Sequence, residues 1–314
     1  MPKTPNLSVE IGGLILKNPV ITASGTFGYG NELNQLINLS SLGAIIVKGL
    51  SLEPMPGNPP PRIVETPCGI LNSIGLANVG IKAFIKEKLP ALYKIKTPII
   101  ANIYGHSMSE YAKITEIIED TAKIAALEVN ISCPNVEKGG MAFGTDSYTA
   151  AKVTEHVKKN TTKPVIVKLT PNVTDISSIA VAVESAGAQA LSVTNTILGM
   201  AVDVPTRKPK LANIIGGLSG PAIKPLALYL VYQVANRVKI PVIGLGGIMN
   251  YEDALEFLIV GATAIQIGTA TFVNPKTAIE VVDGLHNYCL SKKIHTINQI
   301  TGSLKEYGES NEKS

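Results

Sequence analysis

A cysteine set among amides stands out in "ALEVNISCPN", residues 126–135. An apolar run ends in Asn130, Ser132, Cys133 and Asn135, and Pro134 forbids regular continuation of a strand. A free thiol titrates near ~8.5, close enough to neutral pH to move a proton. Asparagine amides both donate and accept hydrogen bonds. A thiol between amides therefore suits proton transfer on a small polar substrate. The plainer alternative is a small buried apolar residue, and Cys68 and Cys289 are read that way. Three scattered cysteines without a C-x-x-C pair argue against a disulfide framework and a cysteine zinc site, and no metal is expected.

Further groups with chemistry stand where short apolar runs end. They are Ser24, Lys48, Asn102, Asn130, Lys168, Asn195 and Thr196. Two lysines at the ends of apolar strands are costly without anionic partners; each alone could instead snorkel to solvent. The segment "IPVIGLGGIMNYEDALEFLIVGATAIQIGTATF" then brings Gly246 and Gly247 to the end of one run and Gly268 and Thr269 to the end of the next. Glycines let backbone N–H groups approach a phosphate closely.

The elements that must position these residues are short β-branched runs alternating with amphipathic stretches. Strands are expected at residues 19–24, 44–50, 98–104, 127–132, 164–170, 190–196, 241–247 and 264–270. Each is a continuous apolar run bounded by turn residues, as a strand buried on both faces requires. Apart from the end positions, the strand bodies read as apolar. Helical spacing recurs at 109–124, at 175–187 with Asp175 as cap and Gly187 as stop, and at 251–262. Eight strands each followed by a helix predict an α/β fold, a (β/α)₈ TIM barrel forming one domain over residues 1–314. An open doubly wound sheet fits less well, because no G-x-G-x-x-G follows the first strand. The connections 51–76, 133–148 and 197–222 exceed simple turns and are read as a cap over one end of the barrel. The polar tail 303–314 is expected to fray.

Composition narrows the function. A net charge of +4 with dispersed lysines does not suggest nucleic acid, and no tryptophan and 5% aromatics do not build base-stacking platforms. No apolar run reaches the ~18 residues that span a bilayer, and "MPKTPNLSVE" carries no signal region, so a cytoplasmic protein is expected. In such barrels chemistry sits at the C-terminal rim of the strands, with phosphate after strands seven and eight. A ligand with a phosphate there and a ring over the barrel axis fits flavin mononucleotide (FMN), with Lys168 near the ring edge that gains charge on reduction. A phosphate-sugar isomerase or a silent scaffold on the same barrel remains open.

These residues resemble the class 1B dihydroorotate dehydrogenases over nearly all of residues 5–300. The motifs are "NSIGLANVG" (72–80), "VNISCPNVEKGGMAFGTD" (129–146), "SVTNT" (192–196), "TRKPKLANIIGGLSGPAIKP" (206–225) and the glycine segments above. The resemblance implies an FMN-containing catalytic subunit that oxidises dihydroorotate to orotate in pyrimidine biosynthesis. Hydride from carbon 6 goes to flavin N5, and Cys133 takes the proton from carbon 5. It implies FMN contacts from Ser24, Lys48, Gly49, Asn102, Asn130, Lys168, Thr194, Gly220, Gly246, Gly247, Gly268 and Thr269. It implies substrate contacts from Lys48, Asn72, Ser73, Ile74, Gly75, Leu76, Asn130, Asn195 and Thr196. Backbone N–H groups of residues 73–76 are expected to hold the substrate carboxylate. The loop carrying Gly139, Gly140 and Gly144 is expected to act as a lid. One departure is Ala77 and Val79, where the family pattern suggests a polar residue and proline. The resemblance further implies a homodimer flanked by electron-transfer subunits carrying FAD and a [2Fe–2S] cluster, which reduce NAD⁺. A class 1A-like enzyme using fumarate, or another FMN barrel such as a dihydrouridine synthase, is the alternative.

Overall fold

The structure, a computed structural model, describes residues 4–131 and 143–306. Eight parallel strands close into a barrel in sequence order. They are β1 (Val20–Thr22), β2 (Ala44–Ile46), β3 (Ile99–Ile103), β4 (Ile124–Asn130), β5 (Val165–Lys168), β6 (Ala190–Val193), β7 (Val242–Leu245) and β8 (Ala264–Ile267). Closure runs through Ile265 opposite Val20 and Ile267 opposite Thr22. Seven of the expected runs contain their barrel strand, whereas β4 begins three residues before the expected 127–132, at Ile124. The strands' isoleucine and valine side chains are almost wholly removed from water, each worth about 1.5–3 kcal/mol relative to exposure.

Helices cover the outside of the ring. Met108–Glu119 starts at Ser107, whose hydroxyl accepts from the Glu110 N–H. Ile176–Ser185 is capped by Asp175, and Tyr251–Ile259 by Asn250. Such caps satisfy N–H groups that the first helical turn leaves unpaired. The helix expected over 109–124 stops at Glu119, because Ile124 already belongs to β4 and is buried in the sheet. Between β1 and β2 only one turn of 3₁₀ helix forms, Leu39–Ser41. Gly25, Gly28 and Gly30 there all take positive φ, which turns the chain repeatedly and leaves no run for a helix.

The long connections are more ordered than their sequences suggest. Residues 51–76 contain strands Ile63–Thr66 and Gly69–Asn72, and residues 197–222 contain Ile197–Met200 and Ile215–Ser219. These four form one antiparallel sheet, ordered Ile197–Met200, Ile215–Ser219, Gly69–Asn72, Ile63–Thr66. Two loops about 145 residues apart are thus joined into a single lid of strands. The join is tight: a Cβ on Gly69 would lie 2.1 Å from the Ser219 carbonyl, and one on Gly216 would lie 2.6 Å from the Asn72 carbonyl.

Candidate active site

A cleft of about 490 Å³ opens between the C-terminal ends of the barrel strands and the capping sheet. That volume lies in the range of small-molecule and cofactor sites, about 300–1,000 Å³. All the FMN and substrate positions singled out from the sequence line it except Ser73 and Cys133. Cys133, with Gly139 and Gly140, lies outside the described residues. Ser73 is fully buried, and its N–H already donates to the Arg62 carbonyl at 2.8 Å. It is therefore withdrawn from the backbone donors expected for a carboxylate. The N–H groups of Ile74, Gly75 and Leu76 keep that possibility, since none donates to a described residue. Leu76 lines the cleft with φ +56°, a left-handed conformation that costs a branched residue energy and recurs at functional sites.

The cleft has two contrasting ends. At the ends of β7 and β8, Gly220, Gly246, Gly247, Gly268 and Thr269 present backbone. Gly247 has φ +78°, and an added Cβ would lie 2.8 Å from Lys224 Cβ and 2.9 Å from the Gly220 carbonyl. The N–H groups of Gly246, Gly247, Gly268 and Thr269 donate to no described residue. A Cβ at Gly268 would meet nothing nearer than 3.5 Å, so the fold leaves space beside this backbone. Unpaired N–H groups around open space are what a phosphate needs. Below them Lys224 pairs with Asp253 at 2.6 Å and Glu256 at 2.8 Å, and Asp253 accepts the Met249 N–H at 2.8 Å. This clamp joins the helices that follow β6 and β7.

The floor at β3 to β6 and β8 is instead made of side chains. Glu128 in β4 is fully buried, although the strand bodies read as apolar. It accepts from Asn102 Nδ2 (2.6 Å), Ser192 Oγ (2.6 Å) and Gln266 Nε2 (2.7 Å), and lies 3.7 Å from Lys168 Nζ. Lys168 Nζ also reaches Ser24 Oγ at 3.3 Å. Tyr111 donates its hydroxyl proton to the Asn130 carbonyl at 2.9 Å, fixing the end of β4. The Asn195 side chain accepts from the Thr196 N–H at 2.8 Å, and Thr194 Oγ1 donates to the Asn195 carbonyl at 3.0 Å.

Lys48 and Arg62 give the cap side of the cleft its positive charge. Burial and the neighbouring Arg62 guanidinium hold the Lys48 ammonium below the usual lysine range, and Glu32 partly opposes them. Arg62 was missed in the sequence because it sits in a loop read only as cap. The Val79 departure has a structural consequence: its N–H, which proline lacks, donates to the Tyr29 hydroxyl at 3.0 Å. That bond ties the 72–80 loop to the β1 connection. Glu128, Ser192 and Gln266 were also missed, and only Glu128 carried a local signal. Strand residues two apart share a face, so Glu128 had to point the same way as Asn130.

The residues fit a flavin nucleotide. Unpaired N–H groups suit the phosphate, and Ile223, Leu245, Met249 and Phe272 give apolar wall. The buried oxygens Asn102 Oδ1 and Gln266 Oε1 find no partner among the described residues, which suits a ring edge that carries an N–H donor.

The model of a protein family described as "Dihydroorotate dehydrogenase" matches residues 6–289. A protein of Trichlorobacter lovleyi named "Dihydroorotate dehydrogenase B (NAD(+)), catalytic subunit" is 56% identical over 301 residues, covering 96% of this chain and 99% of its own. The protein of the same name from Desulforamulus reducens is 57% identical over 298 residues, covering 95% and 98%. Among solved structures, that of DHODH in complex with ferulenol from Eimeria tenella superposes with a TM-score of 0.80 at 21% identity, covering 95% of this chain and 88% of its own. At that identity the likeness concerns the fold.

Proposed function

Because the chain belongs to the dihydroorotate dehydrogenase family, we propose that it is the cytoplasmic catalytic subunit of an NAD⁺-linked enzyme oxidising dihydroorotate to orotate in pyrimidine biosynthesis. The observation that carries this is identity above half over almost the full length to relatives named as that subunit. The cleft agrees with it, being positively charged, lined with amides and bounded at one end by unpaired backbone N–H groups.

FMN is the cofactor proposed for the cleft. Gly220, Gly246, Gly247, Gly268 and Thr269 would hold its phosphate, and Ser24, Gly49, Asn102, Asn130, Lys168 and Thr194 would surround its ring. When bound, FMN supplies the acceptor for the hydride leaving carbon 6 of the substrate. The rest of the chemistry belongs to the chain. Cys133 as thiolate removes the proton from carbon 5, a positioned base contributing about 10²–10⁴-fold. Asn72, Asn130, Asn195 and Thr196 pair with the amide edges of the substrate. Lys48 and the N–H groups of Ile74, Gly75 and Leu76 attract its carboxylate. Lys168 would stand at the ring edge where reduction brings negative charge. The capping sheet excludes water from this chemistry.

The electrons then leave through a second subunit carrying FAD and a [2Fe–2S] cluster, arranged about a dimer of this chain. The test is turnover of the purified chain with NAD⁺ or fumarate, with and without that subunit. NAD⁺ reduction that depends on the partner supports the proposal. Turnover by the chain alone with fumarate, and none with NAD⁺ plus partner, would assign it the class 1A acceptor instead.

A further inference from the structure

Glu128 is a carboxylate with no water access in the middle of a barrel strand. Isolated, it would cost several kcal/mol, yet it stands among four polar neighbours contributed by β3, β5, β6 and β8. An ionised carboxylate can only accept hydrogen bonds. Asn102 and Gln266 must therefore turn their NH₂ groups toward it, because the opposite orientation sets carbonyl against carboxylate. Their carbonyl oxygens are left without a partner among the described residues, and both residues line the cleft. Asn102 Oδ1 lies only 2.9 Å from where a Cβ on Gly49 would stand, and Gly49 also lines the cleft.

We propose that Glu128 is a positioning residue. It neutralises Lys168 and locks the Asn102 and Gln266 amides with their oxygens offered to the bound ring, so setting how strongly the floor favours the reduced flavin. The inference rests on the flavin reading above. Its physical content is one unit of charge. With Glu128 ionised, the Lys168 ammonium is paired at 3.7 Å, and the pair adds little net field. Replacing the carboxylate by an amide of the same shape leaves that ammonium uncompensated in a site shielded from water. Charge interactions are strong there, and the negative charge gained on reduction is then better stabilised.

The test is an anaerobic redox titration of the FMN-loaded chain at pH 7, comparing wild type with Glu128→Gln, Glu128→Asp, Lys168→Met and Glu128→Gln/Lys168→Met. The midpoint potential is expected to rise in Glu128→Gln and to stay at the wild-type value in Glu128→Asp, which keeps the charge but not the shape. It is expected to fall in Lys168→Met and to return toward wild type in the double variant. An unchanged or lowered potential in Glu128→Gln overturns the proposal, as does an equal rise in Glu128→Asp, since a merely structural role would follow shape. Should Glu128→Gln alone fail to fold, the neutral double variant must lie above Lys168→Met, and equal potentials for those two overturn the proposal. A wild-type chain that takes up no flavin defeats the flavin reading itself. A yellow wild type whose Glu128 variants keep its potential defeats only the role given to Glu128.

Discussion

The two ends of the cleft recognise by opposite means. At β7 and β8 the chain withdraws side chains, and Gly220, Gly246, Gly247 and Gly268 expose backbone N–H groups. On the floor at β3 to β6 it inserts Glu128, Asn102, Lys168 and Ser192, with Gln266 joining from β8, and ties them together. The first end selects by shape and by the reach of main-chain donors. The second selects by charge and by which atom of an amide faces the ligand. A methyl group added at Gly247 is therefore the damaging change at the first end, and a change of charge without change of shape at Glu128 is the damaging change at the second.

The largest expected effect belongs to Cys133, which lies outside the described residues. Cys133→Ala is expected to keep bound FMN yet lose about 10²–10⁴-fold in turnover at neutral pH, read by steady-state kinetics beside the visible spectrum. Activity of the wild type should rise with pH through the thiol's titration, since the base works as thiolate. A variant with normal turnover would take proton transfer away from this residue. At the glycine end, Gly247→Ala must force a Cβ to within 2.8 Å of Lys224 Cβ, with φ at +78°. The backbone term alone is about 1–2 kcal/mol, and FMN retention should drop about 10–100-fold with the phosphate cradle displaced. Equilibrium dialysis would show it, and unchanged affinity would dissolve the distinction between the two ends.

Lys48→Met should raise the substrate KM about tenfold with a smaller change in kcat, the loss of one charge-assisted contact. Because burial and Arg62 hold the Lys48 pKa down, its cation is present below that lowered pKa and is lost as pH rises through it. Substrate affinity should thus weaken at a lower pH than an ordinary lysine near ~10.4 would allow. The smallest effect belongs to a residue remote from both ends. Glu119 accepts from Thr161 and Thr162, and these bonds hold its pKa at about 2. The unfolded chain binds the proton more readily, so the stabilisation is present above the ordinary value of 4.5 and disappears as pH falls toward about 2. Its partial exposure limits the effect to about 1 kcal/mol or less. Glu119→Gln should lower thermal stability slightly at pH 7 and leave flavin and substrate affinity unchanged.

The barrel was readable in the sequence because each of its strands is a short β-branched run buried on both faces, which alternation with helices then orders. Residues 190–193 and 264–267 are good cases: Leu191 and Ile265 needed only their neighbours to declare a strand. The rim residues Lys48, Lys168 and Asn195 were readable because polar groups ending apolar runs have few other uses. The capping sheet was not. Its strands pair Asn72 with Gly217, and neither loop carries a local period that announces so distant a partner. Glu128 and Gln266 were hidden for another reason. A single polar residue inside an apolar strand interrupts the pattern without saying whether a partner waits across the ring. Only closure of the barrel, which sets β4 near β6 and β8, gives Glu128 its donors.

The most direct measurement is the visible spectrum of the purified chain, reconstituted with FMN and titrated anaerobically with dihydroorotate. The expected result is a yellow protein whose absorbance bleaches at about one equivalent of dihydroorotate per bound flavin. A chain that binds no flavin, or one whose colour persists in excess dihydroorotate, would contradict it.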